Sequence, residues 1–492
     1  MKKQINSTIC NIYLVLMLFA FPLFMRNGYY DVLRSKRLLN YILTIAFVVI
    51  LGMVFLLTKE KSLQDDFKSI YLFTGIYAIA LVAGMAFAQD KALVFLGKGG
   101  RCYGVVCVLM WLVVMIALSK YVKWNAVLSW SFLLGCNGVY VLQILNNWKI
   151  DPLRAYVGLT EGQMFSFSST IGNINFNATF DCITMAVLAA CFFVYKELFS
   201  KIVFGSSIFL GFMGMFCCRS LSVYLGIGAI LLVLFGFALY KMYYLLDFGT
   251  LFALFTLATI LMRMLYYGIG DMYSLESMTE YLMTVPVMIA LILISVMLLC
   301  LGYFGRSKHW RSKRAFWIYV ITIAGGSLAA LIGFCILVMQ GKIVVDLDWG
   351  TGRVYAWNRS LMVYKEFPFM EKLAGCGTNG LGPVLRDFCY DEMIERYKKC
   401  FIDAHNEYIQ SLLTNGILGF VGYFGIMISE LVYAVRMLCS NREDRDRAII
   451  IICGIMAFMA QGIANNPTIA TTPFVFIGLG VFWNILREKK RR

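Results

Sequence analysis

A chain of 492 residues, 60% hydrophobic and only 15% charged, is not an ordinary soluble protein, since soluble domains carry about a quarter of their residues as charged side chains. Apolar runs of about 20 residues recur along its length, each long enough to cross a bilayer as a helix and unlike the alternating ten-residue segments of barrel strands. The formal net charge of +16 falls in short loops and at the two ends, as the cytoplasmic bias of basic residues requires, and no basic, aromatic-interleaved soluble domain is present to bind nucleic acid.

The fold class is an all-α polytopic membrane protein. Hydropathy places about 14 spans near 10–25, 39–58, 69–88, 102–119, 126–145, 178–195, 201–217, 220–240, 246–267, 281–302, 316–338, 409–437, 448–463 and 472–486. A total of 12 or 13 fits as well, because the pair flanking Cys218 reads equally as one broken hairpin. The first span, an apolar run from Cys10 to Leu23 after Met1-Lys2-Lys3, resembles a signal peptide. No small-residue cleavage site follows it, so it reads as a retained span.

Lys and Arg orient the chain. If the tail Arg487-Glu488-Lys489-Lys490-Arg491-Arg492 is cytoplasmic, the inside loops are Arg436–Arg447, Arg306–Arg314, Lys241–Asp247, Lys196–Lys201, Lys120–Lys123, Lys59–Lys68 and the N-terminus. Nearly all are basic. The outer face receives acidic Gly268–Glu280, uncharged Asn465–Pro473 and the long polar segments 146–177 and 341–408. One loop dissents: Arg26, Arg34, Lys36 and Arg37 fall outside. The division expected is an N-terminal bundle of about 11 spans (1–338), an extracytoplasmic catalytic loop (339–408), and C-terminal spans with a basic cytoplasmic tail (409–492).

Segment 341–408 holds nine Lys/Arg and ten Asp/Glu, a mixture that suits a folded subdomain. Arg359–Glu371 and Asp391–Lys399 read as short helices, separated by the glycines from Gly375 to Gly382. Cys376, Cys389 and Cys400 also fall there. An odd number of cysteines reads as free thiols, with a disulfide as the alternative. Most other cysteines lie in apolar spans, where they act as small hydrophobes, and none has zinc spacing with histidine.

Four features on the outer face could carry chemistry. Ser169-Thr170-Ile171-Gly172-Asn173-Ile174-Asn175-Phe176-Asn177 precedes a span, and by itself it reads as a capped helix entry. Arg219 sits between two apolar runs, either as a functional charge at the hydrocarbon edge or as a snorkelling side chain. Arg353, in Gly352-Arg353-Val354-Tyr355-Ala356-Trp357, is a surface cation or a phosphate ligand whose paired donors keep their charge at any physiological pH. His405 opens a span beside Asn406, either capping it or accepting a proton near neutral pH. Gly416 and Gly419 in that span permit close packing. His309, in the most basic inside loop, reads as solvated.

Together these pieces resemble the O-antigen ligase and polymerase superfamily of bacterial envelope glycan assembly. The resemblance rests on Gly172-Asn173-Ile174-Asn175-Phe176, Cys218-Arg219-Ser220, Gly352-Arg353 with Trp357, the Gly375/Gly377 turn, and His405-Asn406-Glu407-Tyr408-Ile409-Gln410 followed by Gly416-x-x-Gly419. It covers roughly residues 165–485. Where the family has Asn-Pro-Asn, this chain has Asn173-Ile174-Asn175.

The resemblance implies a GT-C-like, inverting, metal-independent glycosyltransferase of the bacterial inner membrane, with no cofactor. Its donor would be a glycan on undecaprenyl pyrophosphate, and its acceptor a glycan, a lipid or a wall polymer. Arg219 and Arg353 would hold the pyrophosphate, His405 would act on the acceptor hydroxyl, and Asn173, Asn175, Trp357, Gly375, Gly377, Asn406 and Gln410 would line the substrate site. Asp346-Leu347-Asp348 is the nearest approach to a metal-binding carboxylate pair in the outer loops. Polymerase and ligase share all of these residues. The rival is a lipid-linked oligosaccharide flippase or exporter, which would place charges inside its spans. Here the spans are nearly free of charge, Arg263 and Glu430 being exceptions.

Overall fold

The computed structural model describes the whole chain except residues 1, 59–66, 242, 271, 306–312, 341, 343–345, 441–442, 444 and 488–492. His309, most of loop 306–314, most of loop 59–68 and the terminal basic tail therefore lie outside the described residues.

The protein is nearly all helix, as lipid demands of a chain that must satisfy its own backbone. Among the described residues, eleven helices are long and apolar enough to span: α1 (Gln4–Leu23), α2 (Tyr29–Leu57), α3 (Lys68–Phe87), then α5 (Ala126–Asn147), α6 (Ile174–Val194), α7 (Leu198–Cys217), α8 (Ser222–Tyr240), α9 (Tyr243–Ile269), α10 (Val285–Gly305), α11 (Arg314–Val338) and α15 (Glu407–Leu438). The shorter α4 (Val105–Tyr121) and α17 (Thr472–Arg487), with α16 (Ala448–Gln461), complete one helix for each expected span. The Cys218 pair is two separate helices, with a turn between them.

Three helices lie in the long polar segment: α12 (Trp349–Glu366), α13 (Phe369–Ala374) and α14 (Leu381–Tyr397). These bounds correct the expected Arg359–Glu371 and Asp391–Lys399. Pro368 forces Phe367 into extended geometry and ends α12 at Glu366. The segment has its own core of Tyr355, Val363, Phe367, Leu385, Met393 and Phe401. Cys376, Cys389 and Cys400 are free thiols.

One set of loops is joined by main-chain hydrogen bonds. Tyr29 donates to Ala155 (3.1 Å), Tyr273 to Asn147 (3.0 Å), Glu407 to Gly462 (2.7 Å) and Ile469 to Arg101 (3.1 Å). At the opposite ends of the helices, Lys196 and Lys201 meet Asp247, and Lys241 meets Asp446.

The dissenting basic loop has a structural reason. Lys36, fully buried, donates to the carbonyls of Phe21 (2.5 Å) and Pro22 (2.9 Å) at the end of α1. Arg37 donates to Gly97 (3.2 Å) at the end of a short helix. Cations at helix C-termini complete carbonyls that the helix leaves unpaired. Lys36→Ala is therefore expected to destabilise the protein by about 1–3 kcal/mol, read as a lower melting temperature in detergent.

The helix after the polar segment is kinked. Gly416 has φ 65° and ψ −176°. Beyond it, Gly419, Gly422 and Gly425 bring α15 against Ala80, Tyr77 and Phe73 of α3, where a Cβ on Gly422 would stand 2.6 Å from the Tyr77 nitrogen.

Candidate functional site

The entry to α6 is a two-residue antiparallel pairing, Phe167–Ser168 with Gly172–Asn173. Asn173 caps the helix by accepting from the Asn175 amide (2.9 Å). Asn177 donates to the carbonyls of Ser168 (2.9 Å) and Gly172 (3.1 Å), holding the hairpin from below. Asn175 turns outward instead: its Oδ1 accepts from Ser220 Oγ (2.8 Å) and from Arg353 Nη2 (3.2 Å). This one side chain joins the α7–α8 turn to the polar segment.

Arg219 occupies that turn in the left-handed region, φ 58°, and is 4% exposed. Its Nη2 donates to the Phe167 carbonyl (2.8 Å). The guanidinium lies over Phe165 and Tyr273, 4.9 and 4.7 Å from the ring centres. Nε and Nη1 are buried without a partner. Buried donors are paired in the great majority of cases, and these two guanidinium nitrogens are exceptions.

Arg353 lies in the first turn of α12. It also donates from Nη1 to Gly350 (3.2 Å), and its Nε is buried and unpartnered. Burial pulls its pKa down from the ordinary arginine value, and Asp403 opposes that fall. One turn on, the Trp357 indole nitrogen is also buried and unpartnered. Arg353→Lys keeps a charge but loses the planar pair of donors. It is expected to lower activity by about tenfold or more, whereas Arg359→Ala, whose partner is Glu392, should change it little; side-by-side activity assays check both.

His405 lies two residues before α15, at φ 49°, with its side chain 25% exposed. Asp403, 1% exposed, accepts from the His405 amide (3.0 Å) and faces Nδ1 at 3.5 Å. Arg101 Nε donates to the same carboxylate (2.7 Å), and its Nη2 pairs with it as well. Burial lowers the His405 pKa; Asp403 raises it in part, and Arg101, Arg353 and Lys399 lower it further. Burial pushes the Asp403 carboxyl up, but Arg101 and His405 hold it below the ordinary carboxylate value. Neutral imidazole and ionised carboxylate are the favoured forms, with Nε2 as the nitrogen turned away from the carboxylate.

Arg101 and Asp403 are absent from the sequence reading. Arg101 is tied in from every side. Its amide donates to Asn379 Oδ1 (3.1 Å), its carbonyl accepts from Ile469, and its guanidinium lies 5.2 Å from the Phe176 ring centre.

The remaining candidates hold the backbone. Asn406 caps α15, accepting from the Tyr408 and Ile409 amides (3.0 Å each), and donates to the Ile463 carbonyl (2.8 Å). Gln410 accepts from the Ala404 amide (2.9 Å), fixing the turn that carries His405. Gly375 (φ 81°) lies at the α15 kink, where a Cβ would stand 2.4 Å from the Thr414 carbonyl carbon, and Gly377 (φ 89°) lies against Gly84 of α3 and Val94, where a Cβ would stand 2.7 Å from Val94. Asp346 and Asp348 are taken by Arg396, at 3.5 and 2.9 Å. The fold thus brings together Asn175, Arg353, His405 and the Arg219 turn. It leaves Asn173, Asn406, Gln410, Gly375 and Gly377 as their supports.

Residues 278–424 match the family described as O-antigen ligase, in agreement with the resemblance read from the motifs. The matched region holds Arg353, Trp357 and His405, while Arg101, Asn175 and Arg219 precede it. No curated protein matches the chain.

Proposed function

From the match of residues 278–424 to the O-antigen ligase family, we infer that this multi-pass membrane protein is a glycosyltransferase acting on lipid-linked glycan. The observation that carries the reading is a pair of arginines, Arg219 with Nε and Nη1 buried and unpartnered and Arg353 with Nε so, linked through Ser220 and Asn175, with Arg353 also in the electrostatic field of His405.

The donor is a glycan on a polyprenyl pyrophosphate, of which undecaprenyl is the bacterial form. The two guanidiniums bind the pyrophosphate and stabilise the charge that grows on it as the anomeric C–O bond breaks, the electrostatic contribution that is usually largest. His405 Nε2 takes the proton of the acceptor hydroxyl as its oxygen attacks the anomeric carbon from the opposite side, which inverts the centre. Asp403 orients the ring and stabilises the imidazolium that forms. The polyprenyl pyrophosphate leaves with the bonding electrons, and in this reading the Arg219 and Arg353 guanidiniums supply the positive charge that offsets it. The site faces the extracytoplasmic side of the inner membrane, with both termini cytoplasmic, in a GT-C-like arrangement. The acceptor is another lipid-linked repeat (polymerase) or a different envelope acceptor (ligase).

The test is complementation of a deletion strain with wild type, Arg219→Ala, Arg353→Ala or His405→Ala at matched membrane levels. Loss of surface glycan with lipid-linked glycan stranded outside is the expected result for all three. Stranded single repeats then identify a polymerase, and stranded long chains a ligase. Normal display by the variants, or accumulation on the cytoplasmic side in the deletion strain, would transfer the protein to the flippase class.

A further inference from the structure

A small cavity of about 20 Å³ lies beside the α15 kink, between α3, α4, α15 and α17. Glu407, the first residue of α15, lines it and is 4% exposed. Its carboxyl faces the Tyr423 hydroxyl, and among the described residues no cation pairs with it. An ionisable group within a span marks a functional place by default. Away from water a carboxylate persists only when a proton or a bound cation neutralises it.

The rest of the wall decides between the two. Ser411 Oγ and Tyr423 Oη are buried without a hydrogen-bond partner. Thr414 gives its only hydroxyl proton to the Gln410 carbonyl (2.7 Å), so its oxygen has only lone pairs left to offer. Asn415 Oδ1 accepts from Thr378 (3.2 Å) and Thr472 Oγ1 from the Thr468 amide (2.9 Å), and each oxygen keeps a second lone pair. All five residues line the same cavity as Glu407. A proton on Glu407 would neutralise the charge but bond at most one of these oxygens, whereas a cation meets them together.

Charge and size narrow the ion. The volume admits about one water-sized sphere, which favours Na+ over the larger K+. One carboxylate balances one positive charge, and among the described residues no three His, Cys, Asp or Glu side chains gather in the manner of a divalent site. The break at Gly416 ends the first segment of α15 at Asn415, with the negative end of its dipole at the cavity. Ends of broken spans hold monovalent cations in this way.

We propose that this cavity is a Na+ site, with Glu407 as the charged ligand and Ser411, Thr414, Asn415, Tyr423 and Thr472 as neutral oxygen ligands. The ion clamps the start of α15 to α17 through Thr472 and to the polar segment through Asn415 and Thr378, and so steadies the turn that carries His405. It takes no part in bond breaking, and its binding does not depend on the glycosyl-transfer reading.

The full-length protein in mild detergent would be melted at one pH and ionic strength in NaCl, KCl or choline chloride, and its bound Na+ counted with a radioactive tracer. Wild type is expected to bind about one Na+ per chain and, at about 100 times the Kd, to melt about 3 °C or more higher in NaCl than in choline chloride, with a smaller shift in KCl. Glu407→Gln, which keeps the shape and removes the charge, should bind no Na+ and melt alike in all three salts. Ser411→Ala, which removes one neutral oxygen, should weaken Na+ binding by about tenfold. Arg219→Ala should keep the Na+ shift while losing transfer, which separates failure of this site from failure of the catalytic reading. No bound Na+, equal melting in NaCl and choline chloride, an equal shift in KCl, or a full Na+ shift in Glu407→Gln would each overturn the proposal, the second by assigning the cavity to a water or a protonated carboxyl. If Glu407→Gln fails to fold, Ser411→Ala decides, and unchanged affinity there overturns the site.

Discussion

Asp403→Ala is expected to abolish transfer and destabilise the protein together. The carboxylate is 1% exposed and meets Arg101 and His405 at once. Removing one partner of a buried ion pair leaves the other uncompensated, at a cost of about 3 kcal/mol or more, visible as a lower melting temperature. Asp403→Asn separates orientation from fold, because it preserves shape and a carbonyl acceptor while deleting the charge. On the proposal that His405 is a neutral base, activity falls as pH drops through its folded pKa, which burial already places below the ordinary histidine value. Asp403 is the group that raises that pKa, so the Asn variant should move the acidic limb of the pH–rate profile to lower pH. A limb that stayed in place or moved upward would reject this role. The same depressed pKa means that the folded state binds fewer protons than the unfolded one between the two values. Stability is therefore present above the ordinary histidine value and lost as pH falls through the folded one.

Gly416→Ala is expected to be the most damaging change outside the cluster. The residue combines φ 65° with ψ −176°, a region open essentially to glycine alone. A Cβ would stand 2.2 Å from the Leu373 carbonyl oxygen and 2.5 Å from the Ala374 nitrogen, and main chain cannot move aside as a flexible side chain can. The expected loss is about 3 kcal/mol or more, from backbone strain plus overpacking, seen as a collapse in the yield of folded protein. Gly228→Ala is the matched control. Gly228 sits inside α8 with no neighbour within 4 Å of the added carbon, so alanine should be neutral or stabilise by about 0.5–1 kcal/mol. Similar yields for the two variants would show that the kink does not hold the polar segment in place.

The helices are legible in hydropathy alone. In lipid an apolar run has no state but a hydrogen-bonded one, so hydropathy alone located α1 to α11 and α15 to α17, including three too short for a length criterion; most bounds agree to within a few residues, but α1 and α2 begin six and ten residues before the expected spans at 10 and 39. It also placed Arg219, Arg353 and His405 among the polar loops of one face, because a charge beside a span is conspicuous against a background that is 60% hydrophobic. Helix boundaries in the polar segment were less legible: the first turn of α12 runs through Gly350 and Gly352, both at positive φ, where glycine ordinarily signals a break.

Which polar side chains meet is visible only once the chain is folded. Arg101 reads in sequence as another cation in the basic, glycine-rich stretch Lys98-Gly99-Gly100-Arg101, yet its partner Asp403 is 302 residues away. No local pattern carries that pairing, because an ion pair costs its desolvation wherever it forms and repays it only in the folded geometry. The three asparagines of the α6 entry are indistinguishable as residue types. Helix register turns Asn173 and Asn177 onto backbone and leaves Asn175 facing Arg353.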